Sequence, residues 1–181
     1  MRWVILERDG VINEDAADYI KSPEEWIPLP GSLEAIAQLN RAGFRVALLT
    51  NQAGLGRGLF DLAALERVHD KMRKQLAALG GQIEAVFVCP HGPEDGCDCR
   101  TPRTGLYERF AREHQVDLRG VVAVGDSLSD LQAAQSVGAE PILVETGKGK
   151  RTLRRNPDLD VQTFVNLHEA AQYILFTQGK S

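Results

Sequence analysis

Two carboxylates stand at the end of the first apolar segment of the chain. The run Trp3–Leu6 predicts a buried β-strand, and Glu7 and Asp9 follow it in the sequence Glu7-Arg8-Asp9-Gly10. Because side chains alternate along a strand, Glu7 and Asp9 are expected on the same side of the chain, at the carboxyl end of the strand. Open α/β sheets bind their ligands at that end. Since two close carboxylates repel each other, such a pair usually binds a cation or divides acid and base roles.

A second apolar run ends in groups that suit a phosphate. Thr50 and Asn51 offer a hydroxyl and an amide where this run stops, and the glycine-rich stretch 52–58 follows. It begins with Gln52 and contains Arg57, so it can present backbone N–H groups and a guanidinium to an anion. A flexible connection with no ligand is the alternative interpretation of the stretch.

A third strand exit carries another carboxylate. Asp126 is expected to point into the same cleft as Asp9, and carboxylates from two strand ends, with water and a substrate phosphate, suit magnesium. Asp130 also suits a helix N-terminus, where it would act as a cap. Asp15 and Tyr19 lie in the polar loop after the first strand and are expected among the substrate contacts.

All three cysteines of the chain lie within eleven positions, beside a histidine. Cys89, His91, Cys97 and Cys99 form a Cys-x-His-x5-Cys-x-Cys pattern around the turn-rich segment 92–96. Three thiolates and one imidazole suit tetrahedral zinc, and four protein ligands indicate a structural site. The other histidines, on predicted helices, are expected to be surface or packing residues.

Apolar runs alternate with amphipathic segments, which indicates a single doubly wound, three-layer α/β/α domain over residues 1–181 with a mostly parallel sheet. The zinc loop, about residues 89–99, is an insertion in it. The predicted strands are Trp3–Leu6, Val46–Thr50, Ala85–Cys89, Val121–Val124 and Ile142–Glu145. The predicted helices are Ser32–Ala42, Leu62–Leu79, Gly105–His114, Asp130–Val137 and Leu167–Thr177.

Composition narrows the class of protein. The chain has 181 residues and a formal net charge of −4, which gives no electrostatic footprint for nucleic acid. The basic run Lys148–Arg155 is interpreted as a solvated loop rather than a binding patch. No apolar stretch approaches the roughly 20 residues of a membrane helix. With no room for a signal peptide before the first strand, we expect a cytoplasmic monomer that binds neither membrane nor nucleic acid.

These segments, in this order, resemble the bacterial D-glycero-D-manno-heptose 1,7-bisphosphate 7-phosphatases of the haloacid dehalogenase (HAD) superfamily, a branch shared with histidinol-phosphate phosphatases. The resemblance implies a HAD-like Rossmannoid fold, Mg²⁺ and Zn²⁺, and a sugar-phosphate substrate. Asp9 then matches the general acid/base, and Thr50 and Asn51 match the phosphate contacts. Asp126 matches a magnesium ligand, together with positions 7 and 9, and Arg100 matches a substrate-binding arginine.

Two positions depart from the family pattern. Glu7 replaces the nucleophilic aspartate, and Thr101 replaces a lysine that neutralises the nucleophile and the phosphoryl group. The longer glutamate moves the carboxylate by roughly 1.5 Å, so we expect weakened or altered phosphatase chemistry. A catalytically silent relative that binds a phospholigand or regulates another process is the second hypothesis, and histidinol phosphate is an alternative substrate. Residues introduced to trap a ligand are a third interpretation. Arg103 or Lys148 is a candidate to replace the missing charge.

Overall fold

The computed structural model describes residues 2–179, and its strands follow the apolar runs of the sequence. The strands are β1 (Arg2–Leu6), β2 (Phe44–Asn51), β3 (Ala85–Cys89), β4 (Val122–Gly125), β5 (Glu140–Val144) and β6 (Gln162–Phe164). The helices are α1 (Ser32–Arg41), α2 (Ala53–Gly56), α3 (Leu62–Ala78), α4 (Gly105–His114), α5 (Leu128–Ser136), α6 (Gly149–Arg155) and α7 (Leu167–Gln178), with a 3₁₀ turn at Pro23–Glu25.

The six strands form one sheet in the order β3-β2-β1-β4-β5-β6, and every neighbouring pair is parallel. Strand β1 therefore lies between β2 and β4, with Leu6 level with Leu48 and Val124. This order brings the carboxyl ends of the three predicted site-bearing strands together at the centre of one edge. The predicted three-layer α/β/α architecture is confirmed, and its sheet is entirely parallel.

Alternation along the strands divides the core into two apolar layers. Val4 and Leu6 of β1 pack on the face covered by α1, α3 and α7. Ile5 faces the other way, into the layer that includes Phe110 of α4 and Ala133 of α5. Helices thus cover both faces, as a buried parallel sheet requires. Within residues 2–179, no helix combines the length and the apolar character needed to cross a membrane.

The basic run after β5 is helical, so its interpretation as a loop was wrong. Helix α6 carries almost no apolar stripe, which is the signal that predicts a helix from sequence. A polar contact anchors it instead: the buried Thr152 hydroxyl donates to the Asp126 carbonyl oxygen at 2.8 Å. The short strand β6 was also missed.

Helix α5 begins two residues earlier than predicted, which changes the role of Asp130. Ser127 is the N-cap, and its side chain accepts a hydrogen bond from the Asp130 backbone N–H. In return, the Asp130 carboxylate accepts a hydrogen bond from the Ser127 backbone N–H at 3.2 Å, which completes a capping box. Asp130 therefore stabilises this helix start from inside the first turn and is not itself the cap.

Candidate active site and zinc cluster

A cleft of about 480 Å³ opens at the carboxyl ends of β1, β2 and β4. It brings most of the predicted site residues together, and Thr50 and Gln52 lie buried behind it. The polar residues that line it are Glu7, Asp9, Asp15, Tyr19, Asn51, Arg57, Arg100, Asp126, Ser127, Ser129, Asp130, Lys148 and Arg151.

A glycine after the carboxylate pair lets the first loop close against β4. Gly10 has a φ of +83°, and a Cβ there would lie 2.0 Å from the Asp126 carboxylate and 3.1 Å from the Gly147 Cα. A side chain would therefore collide with the floor of the cleft as well as strain the backbone. This close approach holds Asp126 beside the loop that carries Glu7 and Asp9.

The Glu7 carboxylate is held by donors from β2 and from Arg8, which follows it in the chain. Its Oε1 accepts a hydrogen bond from the Thr50 hydroxyl and one from the Arg8 backbone N–H at 2.9 Å. Its Oε2 lies 3.4 Å from the Asn51 backbone nitrogen, which donates to it. Of the two groups that the sequence assigned to phosphate oxygens, Glu7 therefore engages the Thr50 hydroxyl, whereas the Asn51 side-chain amide donates to Thr101.

Thr101 leaves a small void behind the Glu7 carboxylate. Its hydroxyl accepts a hydrogen bond from the Asn51 side-chain amide at 2.8 Å and donates to Ser129 at 3.3 Å. The void measures about 10 Å³, roughly the space of one water. Glu7, Thr101, Tyr107 and Asp130 are among its lining residues, and no lysine or arginine of the described chain lines it.

The carboxylates of Glu7, Asp126 and Asp130 crowd this edge of the sheet. Loss of solvent raises the pKa of Glu7, and the nearby Asp130 carboxylate raises it further. Burial and Asp130 also raise the pKa of Asp126 to about 8, while the Lys148 backbone N–H, which donates to Asp126 at 2.9 Å, opposes the shift. The three groups repel each other as anions, so they favour a proton or a bound cation.

Asp9 has a separate set of partners that fix its orientation. Arg8 donates from Nε to Asp9 Oδ1 at 3.0 Å, and the Asn13 amide donates to the same oxygen at 2.9 Å. The Gln52 amide donates to Oδ2 at 3.3 Å. These hydrogen bonds fix the orientation of the Asp9 carboxylate in the cleft that Glu7 also lines.

Cationic side chains stand around the cleft mouth. Arg57 donates to the Tyr19 hydroxyl at 2.8 Å, and Arg100 donates to the His91 carbonyl oxygen at 3.2 Å. The Lys148 ammonium lies 3.9 Å from the Asp15 carboxylate. These contacts leave the cations at the rim and not beside Glu7. Lys148 therefore lines the cleft but not the void beside Thr101, so in this structure it does not replace the missing lysine charge.

Arg103, the other candidate for the missing charge, points elsewhere. Its guanidinium donates to the Cys97 carbonyl oxygen and so stabilises the zinc loop. Arg103 lines neither the cleft nor the void. Ser127, Ser129 and Arg151 line the cleft but were not predicted as site residues, because the sequence placed the start of α5 at Asp130 and did not reveal α6.

The predicted zinc ligands converge. The ligand atoms of Cys89, His91, Cys97 and Cys99 all lie within 4.8 Å of one another. Cys89 Sγ is 3.8 Å from Cys97 Sγ, and His91 Nδ1 is 3.3 Å from Cys99 Sγ. Two sulfurs on one tetrahedral zinc are about 3.8 Å apart for Zn–S bonds of ~2.3 Å. The donor set therefore fits a structural zinc ion, although Cys99 Sγ and Cys89 Sγ, 2.7 Å apart, lie closer together than two sulfurs on one zinc.

Local hydrogen bonding prepares one of these thiols for a metal. Burial opposes ionisation of Cys97, but the backbone N–H groups of Arg100 and Cys99 donate to it and lower its pKa to about 6. A thiolate is the form that binds zinc. Among residues 2–179, this is the one set of three or more cysteine, histidine or acidic groups drawn so closely together. Glu7, Asp9 and Asp126 do not converge as tightly.

Comparison with known proteins identifies the family. A curated D-glycero-beta-D-manno-heptose-1,7-bisphosphate 7-phosphatase from Bordetella bronchiseptica is 58% identical over 153 residues, covering 84% of this chain and 86% of the relative. The corresponding protein of Pseudomonas putida is 49% identical over 175 residues, covering 97% of this chain and all of the relative. The chain belongs to the heptose-1,7-bisphosphate 7-phosphatase family. Residues 98–170 also match the HAD-hydrolase-like family model.

Solved structures agree with this assignment. The D,D-heptose 1,7-bisphosphate phosphatase of B. bronchiseptica, crystallised with magnesium and phosphate, superposes with a TM-score of 0.94 at 52% identity, covering 97% of this chain and 99% of that one. The Burkholderia thailandensis phosphatase superposes with a TM-score of 0.77 at 43% identity, with the same coverage.

Replacing Cys97 with serine tests the zinc cluster. We expect one zinc per chain in the parent protein and a loss of most of it in Cys97→Ser, because one thiolate ligand is removed. Metal binding contributes to folding, so the melting temperature should fall by on the order of 5 °C or more. Elemental analysis and thermal unfolding of untagged protein measure both. His168→Gln, on α7, is the matched control; parent protein without zinc would contradict the site.

A buried histidine makes the folding stability depend on pH. His69 of α3 is 4% exposed, and burial, followed by the charges of Arg8 and Arg73, lowers its pKa to about 3. Between about pH 6.5 and 3 the unfolded chain binds a proton at His69 that the folded chain does not bind. The free energy of unfolding should therefore fall by up to about 1.4 kcal/mol per pH unit of acidification.

Urea unfolding at pH 6.5 and pH 5 measures this effect. We expect the parent to lose about 1.6 kcal/mol more than His69→Gln over this interval, because the variant lacks the titrating group. Equal losses in the two proteins would show that His69 is not held neutral by the fold.

Proposed function

We propose that the chain is a magnesium-dependent phosphomonoester hydrolase for a sugar phosphate, of the heptose 1,7-bisphosphate type, with turnover reduced by Glu7 and Thr101. The observation that carries the proposal is that Glu7 and Asp9, which follow β1, share one cleft with Asp126, which follows the neighbouring strand β4. Arginines stand at the rim of this cleft. The names of the relatives support the substrate class.

Each residue has a defined role in the proposed reaction. A carboxylate oxygen of Glu7 attacks phosphorus and forms an acyl phosphate, while Asp9 gives a proton to the departing sugar oxygen. Asp9 then takes a proton from water, which attacks the phosphorus of the intermediate and releases phosphate and Glu7. Thr50 and Asn51 hold the phosphoryl oxygens in both steps.

The carboxylates at the strand ends fit a magnesium ion by the chemistry of their oxygen donors. Glu7 and Asp126, with Asp9, would hold it, and when bound it neutralises charge on the phosphoryl group.

The present contacts of Glu7 explain why turnover should be slow. Its carboxylate accepts hydrogen bonds from the Thr50 hydroxyl and the Asn51 backbone N–H, which the phosphoryl group also needs. The side chain must leave these donors before substrate can bind productively. A misplacement of 1 Å in the reacting atoms costs on the order of 100-fold in rate.

The same contact favours a second candidate function, in which the chain is catalytically silent. If the Glu7 carboxylate stays hydrogen-bonded to Thr50 and Asn51, the fold, the zinc cluster and the rim cations remain intact, but the chain has no nucleophile free to attack. The chain would then bind a phospholigand at the rim through Arg57 and Arg100, or act in regulation. Measured turnover separates this candidate from the first.

The rim cations bear on the choice of substrate. Four cations of the cleft could bind a second phosphate beyond the reacting one: Arg57, Arg100, Lys148 and Arg151. A sugar bisphosphate matches this arrangement better than histidinol phosphate, which carries a single phosphate. We also propose that the chain acts as a single domain, as a monomer, in the cytoplasm.

The double variant Glu7→Asp/Thr101→Lys tests the proposed function. The shorter carboxylate frees the Thr50 hydroxyl, and the lysine brings a cation to the void beside position 7 and Asp130. We expect phosphate release from heptose 1,7-bisphosphate with magnesium to rise by at least about 100-fold over the parent. Phosphate release under single-turnover and steady-state conditions is the measurement.

Matched variants make the result specific. Glu7→Asp and Thr101→Lys alone should each give part of the gain, and the parts need not add. Glu7→Asp/Thr104→Lys places the lysine three residues further along, outside the cleft lining, and should gain no more than Glu7→Asp. A parent that turns over at an ordinary enzymatic rate would contradict the impairment. A double variant inert toward both heptose and histidinol phosphates would contradict the substrate class.

A further inference from the structure

Arg8 is the most deeply buried charge of the candidate site. It lies between the two carboxylates in sequence, and its side chain has no solvent exposure. Its Nη2 lies 2.9 Å from Asp9 Oδ1, and its Nε donates to the same oxygen at 3.0 Å. A guanidinium removed from water must be compensated by nearby groups, and Asp9 is its ion-pair partner. The mechanism described above assigns Arg8 no task.

The far side of the Arg8 guanidinium meets a helix. Its Nη1 is 3.0 Å from Nε2 of His69, which lies on the buried face of α3. Because a guanidinium can only donate, the histidine nitrogen must accept this hydrogen bond. His69 is itself 4% exposed, so water does not compete for the contact. The imidazole and the Asp9 carboxylate therefore hold the guanidinium from opposite sides.

This arrangement restricts how Asp9 can turn. Asp9 Oδ1 receives Arg8 and the Asn13 amide, whereas Oδ2 has only the longer contact of 3.3 Å from Gln52. The less strongly held oxygen is thus available for proton transfer in the cleft. If Arg8 rotated, it would release Oδ1, and the carboxylate could turn away from the leaving oxygen. The fixed position of Arg8 is a condition for the geometry of Asp9.

We propose that His69 is a positioning residue, which accepts a hydrogen bond from Arg8 and so fixes the guanidinium that orients Asp9 in the cleft. The inference rests on the proposed function for its kinetic consequence, but its structural content is independent of turnover. It assigns a role in catalysis to α3, an element that contributes no residue to the cleft lining. His69 acts through Arg8 and does not touch substrate.

Two substitutions of His69 separate positioning from packing. His69→Leu keeps an apolar volume on the buried face of α3 but removes the acceptor. His69→Gln keeps an acceptor oxygen near the position of Nε2. In the Glu7→Asp/Thr101→Lys protein as parent, we expect His69→Leu to lower kcat on the order of 10-fold with KM changed less than twofold. His69→Gln should restore kcat to within threefold of the parent.

A packing role predicts a different pattern. Both variants would then lose stability while kcat per folded molecule stayed at the parent value. His168→Leu, an exposed histidine on α7, is the matched control and should leave kcat unchanged. A kcat for His69→Leu within twofold of the parent, or a His69→Gln no better than His69→Leu, would overturn the proposal.

A second measurement tests the contact without turnover. The Arg8 Nε–H should give a slowly exchanging ¹H–¹⁵N signal in the chain as it stands and in His69→Gln, because the guanidinium is buried and held. In His69→Leu this signal should shift and lose its protection. An unchanged signal would overturn the positioning role even if every variant lacked activity, whereas loss of activity alone would count only against the proposed function.

Discussion

The hydrogen bonds between the Glu7 carboxylate and the strand-end donors of β2 govern the rest of the site. They exist because β1 and β2 are parallel neighbours, so the residue after β1 lies beside Thr50 and Asn51. An aspartate would end one methylene short of these donors. The glutamate reaches them, and a carboxylate then takes the place expected for a phosphoryl group. Fold and family are thus preserved, and under the proposed function the first chemical step must compete with this internal contact.

Charge balance links this contact to the surrounding residues. Glu7, Asp126 and Asp130 share one edge of the sheet, and no lysine or arginine of the described chain lines the void beside Thr101. The nearest rim cations are engaged with other partners, such as Asp15 for Lys148. The charge of Asp9, in contrast, is balanced by an ion pair with the buried Arg8. Under the proposed function, the site therefore combines an acid/base that an ion pair orients, Asp9, with a nucleophile position, Glu7, beside a void that no lysine or arginine of the described chain lines.

Much of this arrangement could be predicted from sequence, since it depends on local patterns. Apolar runs located five of the six strands, and the close cysteine and histidine spacing located the zinc cluster. Helix α6 was not predicted because it has no apolar stripe. It is held instead by the hydrogen bond that the Thr152 hydroxyl donates to the Asp126 carbonyl oxygen. The contact between His69 and Arg8 was not predicted because the two residues are 61 positions apart in the sequence. Only the packing of α3 brings them together. The hydrogen bond from the Thr50 hydroxyl to Glu7 likewise could not be predicted, because it depends on the positions of the two side chains.

Binding of inorganic phosphate tests most directly whether Glu7 occupies the phosphate donors. Calorimetric titration with phosphate at fixed magnesium would compare the chain as it stands with Glu7→Asp, which keeps the charge and shortens the side chain. The account predicts that Glu7→Asp binds phosphate at least about 10-fold more tightly, because a charge-assisted hydrogen bond no longer has to be displaced. Equal affinities in the two proteins would contradict it.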